Sequence, residues 1–200
     1  MDVRAYKGFA LGVATATRGA DHLRSRPTFE ALALSEDKLR EIYGDPVSSD
    51  PTSYRGKALM VWQSEREFAI GDALGICRFA QRFNNPDHLS INEFKNLINY
   101  ATNMDISNDD LLAIGERITT IERMFLAREG IRRENDTHPQ RYFKPMPLGR
   151  YKGSKIELKE FDQILNEYYD LHGWDRETGI PKKETLQSLQ LDFTIDDINI

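Results

Sequence analysis

After Ser107-Asn108-Asp109-Asp110 the chain places apolar residues at Leu111, Ile114, Ile118, Ile121 and Phe125. Alternating steps of three and four keep side chains on one face of a helix, whereas a strand would divide them between two faces. The serine and acids suit a helix N-terminus, and Gly130 suits a left-handed stop. The same grammar recurs along the chain. Ser35 reads as an N-cap ahead of Glu36 and Asp37, with Gly44 and Pro46 ending a short helix. Ser90-Ile91-Asn92-Glu93 has the form of a capping box, followed by Phe94, Leu97, Ile98 and Ala101. Phe161, Ile164, Leu165 and Tyr168 make a further stripe stopped by Gly173, and Pro181 suits the first turn of a last short helix through Leu189. These stripes read as core. The stretch from His138 to Ser154 carries Pro139, Pro145, Pro147, Gly149 and Gly153 and reads as irregular. The expectation is an all-α, mostly helical fold of two packed helical subdomains, with at most a short hairpin between about Tyr142 and Ile156. The acidic tail from Asp192 to Ile200 is expected to fray.

Hydrophobic residues make up 40% of the chain and charged residues 30%, a balance that excludes a disordered polymer. No apolar run approaches the roughly 18 residues of a membrane span, and no secretory pattern follows Asp2, Arg4 and Lys7. A net charge of −5 argues against a general nucleic-acid binder. A soluble cytoplasmic protein is the expectation. The single cysteine, Cys77, excludes an intrachain disulfide and any self-contained thiolate cluster.

Two segments depart from the stripes. From Gly8 to Ala20 a run of small residues leads to Arg18, Asp21, His22 and Arg24. Small side chains let backbone approach something bulky, Arg18 and Arg24 can grip an oxyanion bidentately, and His22 can move a proton near neutral pH. The alternative is a close helix–helix contact with a solvated, charged end. The second segment, Gly71 to Phe79, reads as a break in a helix that starts near Ser53 and sets Asp72 and Cys77 on one tight loop. Cys77 is a small buried hydrophobe on one reading and, beside Arg78, an activated thiolate or metal ligand on the other. A Cys77–His22 hydrolase lacks any supporting elbow or oxyanion motif. Trp62 and Trp174 read as core. His88 and His172 read as exposed, and His138 as incidental.

Arg18-Gly19-Ala20-Asp21-His22-Leu23-Arg24 and Asp72-Ala73-Leu74-Gly75-Ile76-Cys77 resemble signature blocks of the C-terminal region of tungsten-containing aldehyde ferredoxin oxidoreductases. Glu122 to Gly130 with Arg133 and Asp136, Glu167 to Asp170 with Gly173-Trp174-Asp175, and Gly179-Ile180-Pro181 continue the likeness in order, from about Asp2 to about Leu191. The resemblance implies two mostly helical domains cradling tungsten held by two pterin (molybdopterin-type) dithiolenes. It implies that Arg18, Gly19 and Arg24 contact one pterin or its phosphate-linked magnesium neighbourhood. Asp72 and Ile76 would contact the other side of the cofactor, and His22 would move a proton beside the metal. Cys77 would ligate a 4Fe–4S iron–sulfur cluster. In this family an aldehyde is oxidised with water to a carboxylic acid, and electrons pass singly through the cluster to ferredoxin.

Departures accompany the likeness. The family's N-terminal pterin-binding domain and its Cys-x-x-Cys-x-x-x-Cys motif are absent from these residues. His138 stands where an apolar residue is usual and Gln190 where glycine is usual. The chain is therefore expected to be a C-terminal fragment, a split subunit or a remnant. By itself it should hold no tungsten, pterin or cluster and be inactive, pending an N-terminal half. The open interface, from Gly12 to Ala20, should favour self-association, a homodimer among the outcomes. The competing reading is a helical interaction or remnant module without redox activity.

Overall fold

The computed structural model describes residues 2–32, 34–82 and 85–198. Within them lie α1 (Lys7–Thr15), α2 (Glu36–Tyr43), α3 (Lys57–Ala73), α4 (Ile91–Thr102), α5 (Asn108–Arg128), α6 (Leu158–His172) and α7 (Lys183–Ser188), joined by short 3-10 turns. No extended strand is formed among the described residues; pairing is limited to isolated bridges at Thr17–Gly19, Gln81–Leu89 and Trp174–Pro181. The fold is mostly helical, as the capped stripes require. Between residues 142 and 156 the backbone folds back on itself like a loose hairpin. Met146 N–H donates to Ser154 O at 2.8 Å and Ile156 N–H to Tyr142 O at 2.9 Å.

Local chemistry sets the helix ends. Ser35 Oγ accepts from Lys38 N–H at 3.2 Å at the start of α2. Ser90 with Glu93, and Ser107 with Asp110, both form reciprocal capping boxes. α6 stops where Gly173 takes φ 67°, a left-handed conformation that carries no penalty without a Cβ.

α3 is the centre of the molecule, packed by α1, α2, α5 and α6. Its neighbours supply three apolar clusters around it. Phe9, Leu11, Val61, Ile164, Leu165, Tyr168 and Trp174 form the largest, between α1, α3 and α6. Leu39, Tyr43, Val47 and Met60 join α2 to α3, while Ile70, Phe94 and Leu111 join α3, α4 and α5. A helix surrounded in this way buries its polar residues too, and each has found a partner. Lys57 and Glu30 are fully buried and 3.4 Å apart, and Glu30 also caps α1 by accepting from Gly8 and Phe9 N–H at 2.9 and 2.8 Å.

Several sequence expectations are corrected. The α5 stripe is only partly core: Leu111 is buried, but Ile114, Ile121 and Phe125 face outward, Phe125 at 55% exposure. Gly115, Thr119, Thr120, Arg123 and Met124 turn inward instead. The reason is close approach, because a Cβ at Gly115 would lie 2.5 Å from Arg66 O on α3. The small, polar face of α5 fits against α3, and its charged groups meet buried partners there. On α4, Phe94 is buried while Leu97 and Ala101 are exposed. α3 begins at Lys57, not near Ser53, and runs through Gly71 and Asp72 without a break. Pro181 precedes α7 by bridging to Trp174 and does not sit in its first turn. The tail is held by Leu191 and Ile198, both buried against Met124 and Leu186, while residues 199–200 lie outside the described residues. Trp174 is core as read, and Trp62 is half-buried.

Gln190 adopts φ 56°, one of the left-handed non-glycine residues. A Cβ there costs about 1–2 kcal/mol, partly offset by glycine's larger unfolded-state entropy. Gln190→Gly should therefore stabilise the chain by roughly 0.5–1 kcal/mol, raising Tm by about 1–4 °C. A calorimetric Tm that is unchanged or lower would contradict the strain.

Candidate functional site

α1 ends at Thr15, and the next residues turn back past the C-terminal end of α3. Ser25 lies against Gly12, where any Cβ would collide with its Oγ. This contact carries Arg24 toward Asp72 in the last turn of α3. Arg24 Nη1 donates to Asp72 Oδ2 at 3.3 Å, and Arg24 Nη2 pairs with Glu122 of α5. Thr17 Oγ donates to the same Glu122 carboxylate. Arg78 Nη2 donates to both Asp72 carboxylate oxygens, at 2.7 and 2.8 Å, and the guanidinium lies 4.0 Å over the Phe68 ring. Burial pushes the Arg78 guanidinium down, Asp72 pushes it up, and the cations of Arg24 and Arg18 add to the lowering. Three guanidiniums thus share one neighbourhood around Asp72.

The loop after α3 is clamped from beneath. Gln81 Nε2 donates to Ile76 O at 2.7 Å, and its amide occupies the space that a Cβ on Gly71 would fill. Gly75, at φ 68°, then lets the chain turn so that Cys77 emerges with its thiol exposed and free of any disulfide. Ile76 packs inward against the Ile70–Phe94–Leu111 cluster.

The structure joins Arg24 directly to Asp72 and brings Arg18 within electrostatic reach of Arg78. Arg18 itself pairs with Asp21, and Gly19 turns between them at φ 79°. His22 takes a different position. It lines a cavity of about 460 Å³ with Phe9, Val13, His138 and Tyr142, on a wall distinct from the Arg24–Asp72 contact. The stretch from Gly12 to Ala20 is open only at its end: Gly12, Thr15 and Ala16 are buried, Gly12 against Ser25, while Arg18, Gly19 and Ala20 are exposed. Exposed apolar surface lies elsewhere, at Phe79, Tyr100, Ile114 and Phe125.

Sequence reasoning missed three participants. Glu122, Thr17 and Gln81 shape the site, and only Glu122 lay in a recognisable block. It also passed over His138 and misplaced His172. His138 is buried, with Nε2 2.8 Å from Ala10 O, and burial pushes its imidazole below the ordinary value. His172 is buried between two carboxylates. Its Nδ1 lies 2.5 Å from Glu116 Oε1 and its Nε2 3.3 Å from Glu65 Oε2. Burial alone would lower the imidazolium, but Glu116 and then Glu65 reverse it, raising His172 to about 9. Glu116 is held low despite burial, chiefly by His172, whereas burial pushes Glu65 up.

The residues present fit part of a larger cradle. Arg24 Nε is buried without a hydrogen-bond partner among the described residues, a donor free for an oxyanion. Cys77 offers one thiolate to a cluster that needs several. No group of three or more His, Cys, Asp or Glu among the described residues is arranged to hold a metal ion alone.

In fold, the chain is similar to the active-site complex BamBC of benzoyl coenzyme A reductase in complex with 1,5-dienoyl-CoA. The TM-score is 0.62 at 24% identity, over 83% of this chain and 25% of that one. Residues 1–191 match the family described as "Aldehyde ferredoxin oxidoreductase, domains 2 & 3", and the chain belongs to this family of tungsten-containing oxidoreductases. It is 36% identical to the tungsten-containing aldehyde ferredoxin oxidoreductase of Pyrococcus horikoshii and 34% to that of Pyrococcus furiosus, over 96% and 92% of its own length. It spans only 29% and 28% of those relatives.

The His172 arrangement has a pH signature. A folded value of about 9, against an unfolded value near 6.5, stabilises the fold fully below about pH 6.5. That stabilisation is lost as pH rises through about 9, and the raised Glu65 acts in the same direction. Urea unfolding should show stability falling across this window. His172→Gln should cost about 3–5 kcal/mol at neutral pH and flatten the fall. Wild-type stability independent of pH there would refute a charged His172.

Proposed function

We propose that these residues form the C-terminal cofactor-binding portion of a tungstopterin oxidoreductase that oxidises aldehydes to carboxylic acids with ferredoxin as electron acceptor. The observation that supports the reading most is the meeting of Arg24, Arg78 and Asp72 beside the exposed thiol of Cys77. These groups come from the loop after α1 and from the end of α3 with the loop that follows it, far apart in sequence, within a fold of the right family. When bound, the tungsten bis-pterin supplies two-electron oxidation of the aldehyde carbon, and the 4Fe–4S cluster passes the electrons on singly.

The chain's own residues orient and insulate that chemistry. Arg18, Gly19 and Arg24 hold one pterin or its phosphate, with the unpartnered Arg24 Nε as an available donor. Asp72, paired with Arg24 and Arg78, accepts from pterin N–H groups. Ile76 gives an apolar contact, and Cys77 ligates the cluster with cysteines from protein outside these residues. His22 moves a proton at its ring nitrogen, beside a cavity whose Phe9, Val13 and Tyr142 walls exclude water from an aldehyde's tail. The two-domain organisation of the family and the cytoplasmic setting belong to the same proposal.

The test is complementation. The chain is combined with a polypeptide bearing the Cys-x-x-Cys-x-x-x-Cys motif, tungstopterin and iron. Expected are bound tungsten, the visible absorption of an iron–sulfur cluster and aldehyde-dependent reduction of ferredoxin. Cys77→Ser should retain pterin while losing at least about tenfold in ferredoxin reduction, because one cluster ligand is gone. A complemented chain that stays colourless and inert, with Cys77 unreactive toward thiol reagents, would favour a helical interaction module.

A further inference from the structure

His172 bridges two carboxylates that are not equivalent. Glu116 is fully engaged: it faces His172 Nδ1 at 2.5 Å, accepts from Trp62 Nε1 at 2.8 Å and lies 3.9 Å from Arg66 Nε. Among the described residues Glu65 accepts from Tyr168 OH, at 2.8 Å, while His172 Nε2 stands 3.3 Å away without completing a hydrogen bond. Trp174 stacks on the imidazole with the ring centroids 4.4 Å apart. The imidazolium sits closer to Glu116, which Arg66 also faces, so Glu65 is the less fully compensated of the two carboxylates, and burial disfavours its charge.

Glu65 also faces outward from this cluster. With Thr17, Arg24, Ala69, Thr119 and Glu122 it lines a small cavity of about 10 Å³, near the room one water needs. Thr17, Arg24 and Glu122 are the same residues that build the Asp72 site. We propose that Glu65 holds and releases a proton for that site, exchanging it through a single water in this cavity.

The step is a bare proton transfer: Glu65 carboxylate plus hydronium gives the carboxylic acid plus water, with no electrons moved. Its purpose rests on the proposed function. Oxidation of an aldehyde by water (RCHO + H₂O → RCOOH + 2 H⁺ + 2 e⁻) releases more protons than one histidine, His22, can hold. The groups facing Glu65 are His172 and Tyr168 from α6, Glu116, Thr119 and Glu122 from α5, and Arg24 and Thr17 from the loop after α1. Burial raises the Glu65 carboxyl, and His172 and Tyr168 offset only part of that rise.

The experiment uses this chain alone, so it reads Glu65 whether or not the chain assembles with cofactor. Side-chain carboxyl ¹³C shifts are followed against pH, with the Glu65 signal assigned by its loss in Glu65→Gln. Glu65 should take up its proton at a higher pH than an exposed glutamate does. Glu122→Gln, which removes a negative charge across the cavity, should lower the midpoint by about half a unit to one unit. A Glu65 signal that titrates with the exposed glutamates, or a midpoint unmoved by Glu122→Gln, would overturn the proposal and leave Glu65 a structural counter-ion. In the complemented enzyme, Glu65→Gln should lower kcat and change its pH profile, an effect that a structural counter-ion would not produce. Cofactor-loaded, active enzyme with an unchanged profile would also overturn it, whereas failure to load cofactor at all would count against the proposed function instead.

Discussion

The molecule depends on burying α3 together with its charges. Taking an ion out of water costs several kcal/mol unless a partner meets it, so every charged residue on this helix dictates what stands opposite. Lys57 requires Glu30, and Glu30 in turn caps α1. Glu65 requires Tyr168 and His172 of α6, and Arg66, 3.3 Å over the Trp62 ring, faces Glu116 of α5. Such pairs add little net stability compared with apolar packing. What they impose is register: a helix that slid by a turn would leave a bare charge inside.

The same logic reaches the site. α5 approaches α3 closely at Gly115, which turns Glu116 and Glu122 toward the interior and the loop after α1. Arg123, one position on, is buried on Asp136 and donates to Gly179 O at 2.8 Å, tying α5 to the segment before α7. With these anchors set, Arg24 meets Glu122 and Asp72 together, and Gln81 seats the Cys77 loop against Gly71. Fixed helices thereby hold mobile side-chain types, guanidinium and carboxylate, in one place, which preorganised binding demands.

The cost of that inward polar face is an outward apolar one. Ile114, Ile121 and Phe125 on α5, with Phe193 beside them, cover solvent-facing surface that a periodicity argument assigns to the core. The stripe located the helix correctly and its rotation wrongly. Two faces of α5 competed for the interior, and close backbone approach with ion pairing outweighed roughly 1.5–3 kcal/mol of burial per large apolar side chain.

The positions of α2, α4, α5 and α6, with their caps and stops, were legible in the residues, because a cap or stripe acts across three or four positions and needs no knowledge of the rest of the chain; α1 and the start of α3 were not. Ser90 with Glu93, Ser107 with Asp110, and Gly173 all behave as their local chemistry requires. Part of the site was legible for the same reason: Arg24, Asp72 and Cys77 stood out as chemistry-bearing residues among small ones. Which of them would meet was not. The Arg24–Asp72 contact, the Glu122 that completes it and the burial of His172 between Glu65 and Glu116 join positions dozens of residues apart. Only tertiary packing decided them, because desolvation makes a charge choose its partner, and desolvation exists only once the helices have closed around α3.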